Sequence, residues 1–188
     1  ELGWELHVPI DRIGEVFDAL MAAGEPQSIR PVGYRALESL RLEKGYRAWG
    51  SDIGPDHTPL EAGLGWAVKT KTDIDFLGRD AIVAQRERGI PKLLAAFTVD
   101  PSVVLLGRET IFRDGERVGW LTSAGFGYTI DRSIGYGYVR RPRQPAPVGE
   151  FGQWATSGTY ELEVATGRVP AEVSLKPLYD PTNARVKA

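Results

Sequence analysis

The stretch Ser39–Val68 holds the side chains of this sequence that are best suited to contact a ligand. It reads SLRLEKGYRAWGSDIGPDHTPLEAGLGWAV and combines an arginine beside core leucines with two tryptophans and several carboxylates. Flat aromatic faces beside fixed charges suit a planar, polar and partly anionic molecule. We therefore predict a ligand-facing set in this stretch: Arg41, Glu43, Trp49, Asp52, Glu61 and Trp66.

The members of this set also have plain structural interpretations. A guanidinium held rigid in a helix can pair with a ligand carboxylate or stack on a ring, but Arg41 is equally well placed for an internal salt bridge with Glu38 or Glu43. Trp49 and Trp66 belong to a residue type that more often packs in a core or at its rim. The local pattern leaves these alternatives open.

Glu5 is a further candidate, on the polar side of the alternating segment ELGWELHVPI. A carboxylate fixed there can accept two parallel hydrogen bonds from the edge of an amino-pyrimidine ring. The alternative is a solvent-facing glutamate on a strand, and the local pattern by itself favours that alternative.

Composition excludes several classes of function. The chain has 188 residues, 42% of them apolar and 26% charged, and a net charge of −2, so it has no basic footprint for nucleic acid or an anionic membrane. The absence of cysteine excludes disulfides, thiolate metal sites and cysteine nucleophiles, and two histidines are too few for the usual zinc site. No apolar run approaches the length of a membrane span.

Helical spacing in the first half predicts the elements that must position these candidates. The chain opens on a strand pattern, Trp4–Val8, which an apolar helical pattern follows, with Asp11 as N-cap and Gly24 at its end. The predicted helices are Asp11–Ala23, Pro31–Lys44 and Arg79–Arg88. Because the sequence begins directly on a strand and its only methionine is Met21, we interpret it as part of a larger protein, with a processed terminus as the alternative.

Short strand patterns dominate the second half. An Asp-Gly pair at residues 114–115, between two apolar runs, predicts a hairpin. The predicted strands are Leu93–Val99, Glu109–Phe112, Arg117–Thr122, Ile134–Val139, Thr159–Val164 and Val169–Leu175. We predict an α+β domain over residues 1–89 and an all-β domain, a small barrel or sandwich, over residues 90–188. The Pro/Arg-rich segment Arg140–Gly149 is interpreted as a mobile loop.

Six motifs, taken in order and spacing, resemble one known family. ELGWELHVP, SLRLEKGYRAWGSDI, TPLEAGLGWAV, DFLGRDAI, DGERVGWLTSAG and GYGYV are similar to the aminomethyltransferase family of the glycine cleavage T-protein. The sequence of these motifs is most similar to the folate-binding C-terminal region of dimethylglycine and sarcosine dehydrogenases. Each motif is weak alone, but together they cover nearly the whole chain and are specific.

The resemblance implies an α+β fold, a partial cloverleaf of the folate-binding type that ends in a small antiparallel β-barrel. It also implies a tetrahydrofolate site. Glu5 resembles the carboxylate that grips the pterin edge, with Leu6 and His7 beside it, and Arg41 resembles the folate-site arginine of the SLRLE motif. Two further aromatic positions match places where relatives often carry tyrosine: Trp49 and Trp66.

The same resemblance implies that the catalytic aspartate and the FAD-binding portion lie upstream, so we name no catalytic residue and expect the chain to be inactive alone. FAD is expected only in the parent protein. Expected partners are folate, a methylated amine and the missing N-terminal domains, with no nucleic acid and no membrane. The expected location is the cytoplasm, or the mitochondrial matrix in a eukaryote.

Two alternatives to an FAD-linked amine demethylase remain. One is a stand-alone glycine cleavage aminomethyltransferase. The other is a folate-fold module that serves in binding or assembly without catalysis, as in the iron–sulfur and tRNA-modification relatives of this family. Those relatives carry a cysteine-containing KGCYxGQE-type motif, whereas this chain reads LEKGYRAWG and has no cysteine.

Overall fold

The computed structural model of the chain describes residues 4–142, 145–185 and 187. Within them, six strands close into an antiparallel barrel in the order β1-β4-β3-β2-β5-β6. The strands are β1 Lys92–Val99, β2 Thr110–Arg113, β3 Glu116–Gly127, β4 Arg132–Arg140, β5 Tyr160–Val164 and β6 Gly167–Ser174. The predicted fold class, α+β ending in a small antiparallel barrel, is confirmed.

In the described part of the chain, four α-helices accompany the barrel: α1 Ile13–Gly24, α2 Tyr34–Lys44, α3 Arg79–Arg88 and α4 Val148–Ser157. The third helix has the predicted bounds, and the second begins at Tyr34 instead of Pro31. Gly45 ends α2 in the left-handed conformation, with φ of 74°, which glycine adopts without a Cβ clash. Among the described residues, no helix has the length and apolar content that crossing a membrane requires.

Strand β1 is buried on both faces, which explains its continuous apolar sequence. Alternate residues from Leu93 to Val99 join the main core of the barrel, while Leu94 and Ala96 join a second cluster on the other face. That second cluster contains Leu42 of α2, Ile134 and two tyrosines of β4. The outer face of the barrel is therefore the surface on which α2 packs.

The predicted Asp-Gly hairpin is confirmed between β2 and β3. Asp114 and Gly115 have φ of 52° and 84°, the positive values that a tight turn of this kind requires. Further along, the register of β3 against β4 shifts between Leu121 and Ser123. This β-bulge inserts Thr122 as an extra residue and changes where the neighbouring side chains point.

Three predictions of secondary structure are wrong in whole or in part. Residues 4–9 form no regular strand, because none of the described residues pairs with them, and Leu2 lies outside the described residues. Asp11 does not cap the first helix: it lies in a 3-10 turn, Ile10–Arg12, and Arg12 occupies the N-cap without a side-chain hydrogen bond.

The third wrong prediction concerns the ends of the loop Arg140–Gly149, because the described residues between those ends form no helix or strand. It omits α4, which begins at Val148, because Gly149 and Gly152 weaken the helical signal. Arg140 itself belongs to β4, and Arg143 and Gln144 lie outside the described residues. The predicted domain division at residues 89–90 stays a prediction.

Candidate functional site

Helix α2 fixes the position of Arg41 through contacts on its buried side. Leu42 is fully buried against the barrel, and Ser39 donates a hydrogen bond to the carbonyl oxygen of Phe126, at 2.7 Å. The helix approaches β3 closely, since a Cβ on Gly125 would lie 2.8 Å from Leu42 Cδ1. Arg41 therefore extends from a helix that is anchored to the barrel one residue away.

The Arg41 guanidinium is held by four acceptors. Nη1 contacts Asp52 Oδ2 at 2.5 Å, Ser123 Oγ at 3.2 Å and the Tyr46 carbonyl oxygen at 3.3 Å. Nη2 lies 2.8 Å from Glu38 Oε2. The side chain is only 15% exposed, so the guanidinium is rigid. Of the two salt-bridge partners the sequence offered, Glu38 is correct, and Asp52 is the partner that local pattern missed.

Asp52 is the centre of this network, and its side chain is 1% exposed. Its Oδ1 accepts hydrogen bonds from the Thr122 hydroxyl at 2.6 Å and the Ser123 hydroxyl at 2.7 Å. In a regular strand two successive side chains point to opposite faces, so both contacts depend on the bulge at Thr122. The Ala48 N–H, at 3.0 Å, completes the set of donors to the carboxylate.

The other two carboxylates of the ligand-facing set are also occupied by the protein. Glu43 Oε1 accepts hydrogen bonds from the N–H groups of Thr129 and Ile130, at 2.6 and 3.2 Å. Glu61 forms a reciprocal capping arrangement with Thr58 and lies 3.8 Å from the Lys92 ammonium. The prediction that Asp52 and Glu61 face a ligand is wrong, because both are buried and satisfy donors of the protein instead. Glu43 also lines a cavity beside α2, so its ligand-facing role stays a prediction.

Two cavities adjoin the C-terminal end of α2. Arg41 lines one of about 350 Å³, together with Leu37, Leu40 and Tyr179. Trp66 lines the other, of about 590 Å³, whose far wall is formed by the segments 175–177 and 181–183. Lys44 and Tyr46 line both cavities. The structure thus brings Arg41 and Trp66 to two adjacent spaces that share part of their wall.

Cations and neutral phenols surround this region. Burial lowers the pKa of Arg47, which donates hydrogen bonds to the carbonyl oxygens of Ala62 and Gly45. Lys44 pairs with Asp180 at 3.1 Å. Burial raises the pKa of Tyr136 to about 12, so its hydroxyl stays neutral at physiological pH. The sequence analysis missed three residues beside Gly45 as site candidates: Lys44, Tyr46 and Arg47. The signal that could have found them is Gly45 itself, because a glycine that ends a helix marks a turn.

Trp66 is 82% exposed although it lines a cavity, and the remaining predicted site residues are exposed as well. Trp49 is 74% exposed, and its backbone forms an isolated bridge with Ile53. Glu5, Leu6 and His7 are all exposed, and Glu5 Oε1 lies 3.6 Å from His7 Nε2. Among the described residues, no hydrogen bond, ion pair or ring contact joins these three residues to Arg41, Trp49 or Trp66. Their assignment to one site stays a prediction.

Two family models match consecutive parts of the chain. The model described as the GCVT N-terminal domain matches residues 1–72, and the glycine cleavage T-protein C-terminal barrel domain matches residues 92–180. The chain belongs to the aminomethyltransferase family of the glycine cleavage T-protein. The resemblance drawn from the six motifs is confirmed. The second family model corresponds to the six-stranded barrel of this chain.

The relatives include amine dehydrogenases. The chain is 45% identical over 187 residues to mitochondrial sarcosine dehydrogenase of Mus musculus, covering 100% of this chain and 20% of the relative. It is 35% identical over 194 residues to mitochondrial dimethylglycine dehydrogenase of Mus musculus, covering 100% and 21%. The crystal structure of glycine cleavage system aminomethyltransferase T from Bartonella henselae matches with a TM-score of 0.74 and 27% identity, over 93% of this chain and 45% of that one. The chain spans about a fifth of the length of these two dehydrogenases.

Proposed function

We propose that this chain forms one wall of a tetrahydrofolate site in a protein that passes a one-carbon unit from a methylated amine to tetrahydrofolate. The observation that carries the proposal is the Arg41 guanidinium, which four protein acceptors hold rigid at the edge of a cavity. A fixed, planar cation suits a flat, polar ligand, because little conformational entropy is lost when the ligand binds.

The residues around the two cavities fit such a ligand. Arg47, which forms no ion pair among the described residues, provides positive charge for an anionic tail, whereas Arg41 and Lys44 are paired with carboxylates of the protein. Tyr46 and Trp66 provide flat faces for a planar ring. The cavities, of about 350 and 590 Å³, lie in the size range of small-molecule sites. By the family pattern, Glu5 would accept the donors of the pterin edge, with Leu6 and His7 beside it and Trp49 at the rim.

Tetrahydrofolate supplies the N5 and N10 nitrogens that accept a carbon at the oxidation level of formaldehyde. The part assigned to this chain is to bind and orient that acceptor and to exclude water from it, which are the terms that dominate a transfer of this kind. We assign no residue of the chain to the amine chemistry.

The dehydrogenase relatives support an FAD-linked parent protein of the sarcosine or dimethylglycine dehydrogenase type. A stand-alone glycine cleavage aminomethyltransferase is the second candidate, favoured by the fold match to the T-protein of Bartonella henselae. We also propose that residues 1–89 and 90–188 form separate domains. If the source is a eukaryote, we propose that the parent protein is located in the mitochondrial matrix.

Substitution of Glu5 tests the folate site directly. In the full-length protein, Glu5→Ala should weaken tetrahydrofolate binding by about 10- to 100-fold, the loss expected when a charge-assisted bidentate contact is removed. The measurement is anaerobic isothermal titration calorimetry. Because the Glu5 side chain is 86% exposed, its loss should leave the fold intact.

Glu15→Ala is the matched control, since Glu15 is an exposed carboxylate on α1 that pairs only with Arg12 among the described residues. Its tetrahydrofolate affinity should equal that of the wild type. An unchanged affinity in Glu5→Ala would contradict the assignment of Glu5.

A further inference from the structure

A smaller cavity of about 190 Å³ lies on the outer face of β3 and β4. Trp120 pairs with Tyr138 across the two strands, and Arg140 follows Tyr138 by two residues, so these side chains share one face. Arg108, His57 and Ser51 line the cavity from loops, and Thr122 lines it from the bulge of β3. The cavity shares no lining residue with the two cavities of the proposed folate site.

The two arginines of this cavity lack a carboxylate partner among the described residues. The Arg140 guanidinium lies 5.8 Å from the centroid of the Trp120 ring, and among the described residues Arg108 forms no hydrogen bond or ion pair. The acidic neighbour Glu109 is already occupied, because its carboxylate accepts hydrogen bonds from the N–H groups of Leu106 and Gly107. By contrast, the adjacent Arg141 pairs with Glu150. The cavity therefore has two arginines that form no ion pair among the described residues, although Asp56 and Glu61 act electrostatically on the neighbouring His57.

His57 adds an unsatisfied polar atom to the same wall. Its ring stacks on Tyr138 with centroids 4.5 Å apart, and its Nδ1 is buried without a hydrogen-bond partner among the described residues. Burial and the nearby Lys92 lower the pKa of His57, so the imidazole is neutral at physiological pH. A buried ring nitrogen without a partner is costly unless a bound molecule satisfies it.

Arg108 is held in a backbone conformation that side chains other than glycine avoid. Its φ is 128°, in a loop that the Glu109 carboxylate clasps from the next residue. Such conformations persist only where the surroundings enforce them, and they concentrate at binding sites. The hydrogen bonds of Glu109 with the backbone of this loop therefore hold Arg108 at the cavity wall, where a relaxed loop would not place it.

We propose that this cavity binds the carboxylate group of a small organic acid, with Arg108 and Arg140 pairing with the carboxylate and His57 donating or accepting a further hydrogen bond. Guanidinium groups match the planar geometry of a carboxylate. The flat faces of Trp120 and Tyr138 accommodate a short apolar body, and the volume is below the roughly 300 Å³ of drug-sized sites. The carboxylate belongs either to a free acid or to the glutamyl tail of a folate.

The test uses glutarate as the probe and the full-length protein, with calorimetry and tryptophan fluorescence as readouts. Wild type should bind glutarate saturably, and Arg108→Gln and Arg140→Gln should each weaken binding by about tenfold or more. The matched controls are Arg117→Gln, on an exposed part of β3, and Arg141→Gln, and both should bind as the wild type does. The fluorescence change should disappear in Trp120→Phe, while calorimetric binding persists.

The two sources of the carboxylate are separated by comparing pteroyltriglutamate with pteroylmonoglutamate. If the ligand is a folate tail, Arg108→Gln and Arg140→Gln should reduce the affinity for the triglutamate selectively, and glutarate should compete with it. If the ligand is a free acid, both folates should bind these variants as they bind the wild type. Glu5→Ala should retain glutarate binding, so failure of the folate proposal would be distinguishable from failure of this one.

Three results would overturn the proposal. The first is the absence of saturable glutarate binding to folded wild-type protein. The second is equal weakening in the control variants, and the third is equal competition by chloride, each of which would indicate a nonspecific charge effect. Arg140→Lys keeps the charge but loses the planar fork, so it should bind more weakly than the wild type and more tightly than Arg140→Gln.

Discussion

Replacing Asp52 by alanine should destabilise the barrel more than any exposed charge substitution, because its carboxylate joins α2, the following loop and the bulge of β3. The substitution removes the ion pair with Arg41 and the acceptor for the Thr122 and Ser123 hydroxyls and the Ala48 N–H. Breaking a buried ion pair by removing one partner costs about 3–5 kcal/mol.

The structure refines this magnitude. Arg41 keeps Glu38 after the substitution, and the Thr122 hydroxyl keeps the Tyr136 carbonyl oxygen at 3.1 Å, so neither group is left without a partner. The uncompensated losses are the buried Ser123 hydroxyl and the Ala48 N–H, at about 1 kcal/mol each, and the weakened ion pair, at about 2 kcal/mol. The expected total is about 4 kcal/mol, and Asp52→Asn, which keeps one acceptor, should lose about half of it.

Native-state hydrogen–deuterium exchange of the full-length protein measures this loss without requiring two-state unfolding. The opening free energy of the slowest β3 and β4 amides should fall by about 4 kcal/mol in Asp52→Ala. Glu38→Gln is the control, because Glu38 is 54% exposed, and an exposed ion pair contributes at most about 1 kcal/mol. A loss in Asp52→Ala no larger than that in Glu38→Gln would refute the assignment of Asp52 as the centre of the network.

Two further predictions concern the small cavity on the outer face of the barrel. Arg108→Gly should raise the Tm by about 2–4 °C, because glycine adopts the positive φ of this position without the strain of about 1–3 kcal/mol and at a modest entropic penalty. Arg108→Gln keeps the strained conformation and should leave the Tm unchanged. A lower Tm for the glycine variant would contradict the presence of strain at Arg108. Burial, with Lys92 and Arg140, lowers the pKa of His57 in the folded protein below its usual value of 6.5, against the opposing effect of Glu61 and Asp56. Because the unfolded chain then binds the proton more readily, the stability that is fully present above pH 6.5 should be lost as the pH falls through the folded pKa. Thermal unfolding from about pH 7.5 to about pH 5 should therefore show a smaller loss in His57→Phe than in wild type, and equal losses would contradict it.

Short-range patterns in the sequence determined the class of fold. The Asp114-Gly115 turn, the glycine that ends α2 and the strand alternation of the second half each reflect preferences of a few consecutive residues, and the structure confirms them. The same local reasoning selected Arg41 as a candidate, whose role in a folate site stays a prediction, and the resemblance of six ordered motifs indicated the family. It failed for Trp4–Val8 because strand formation also requires a pairing partner, which an alternating pattern does not supply.

Only the tertiary structure decided which charges the protein uses for itself. Glu43 is two residues from Arg41 in sequence, yet it binds the N–H groups of Thr129 and Ile130, while Arg41 pairs with Asp52 in the loop beyond the helix. The Ser39–Val68 stretch thus reads as one cluster of ligand-facing charge, but packing against the barrel turns its carboxylates inward. The physical reason is that a buried charge takes whichever partner the packing of distant segments brings near, and a bulge of one residue in β3 decides that partner for Asp52.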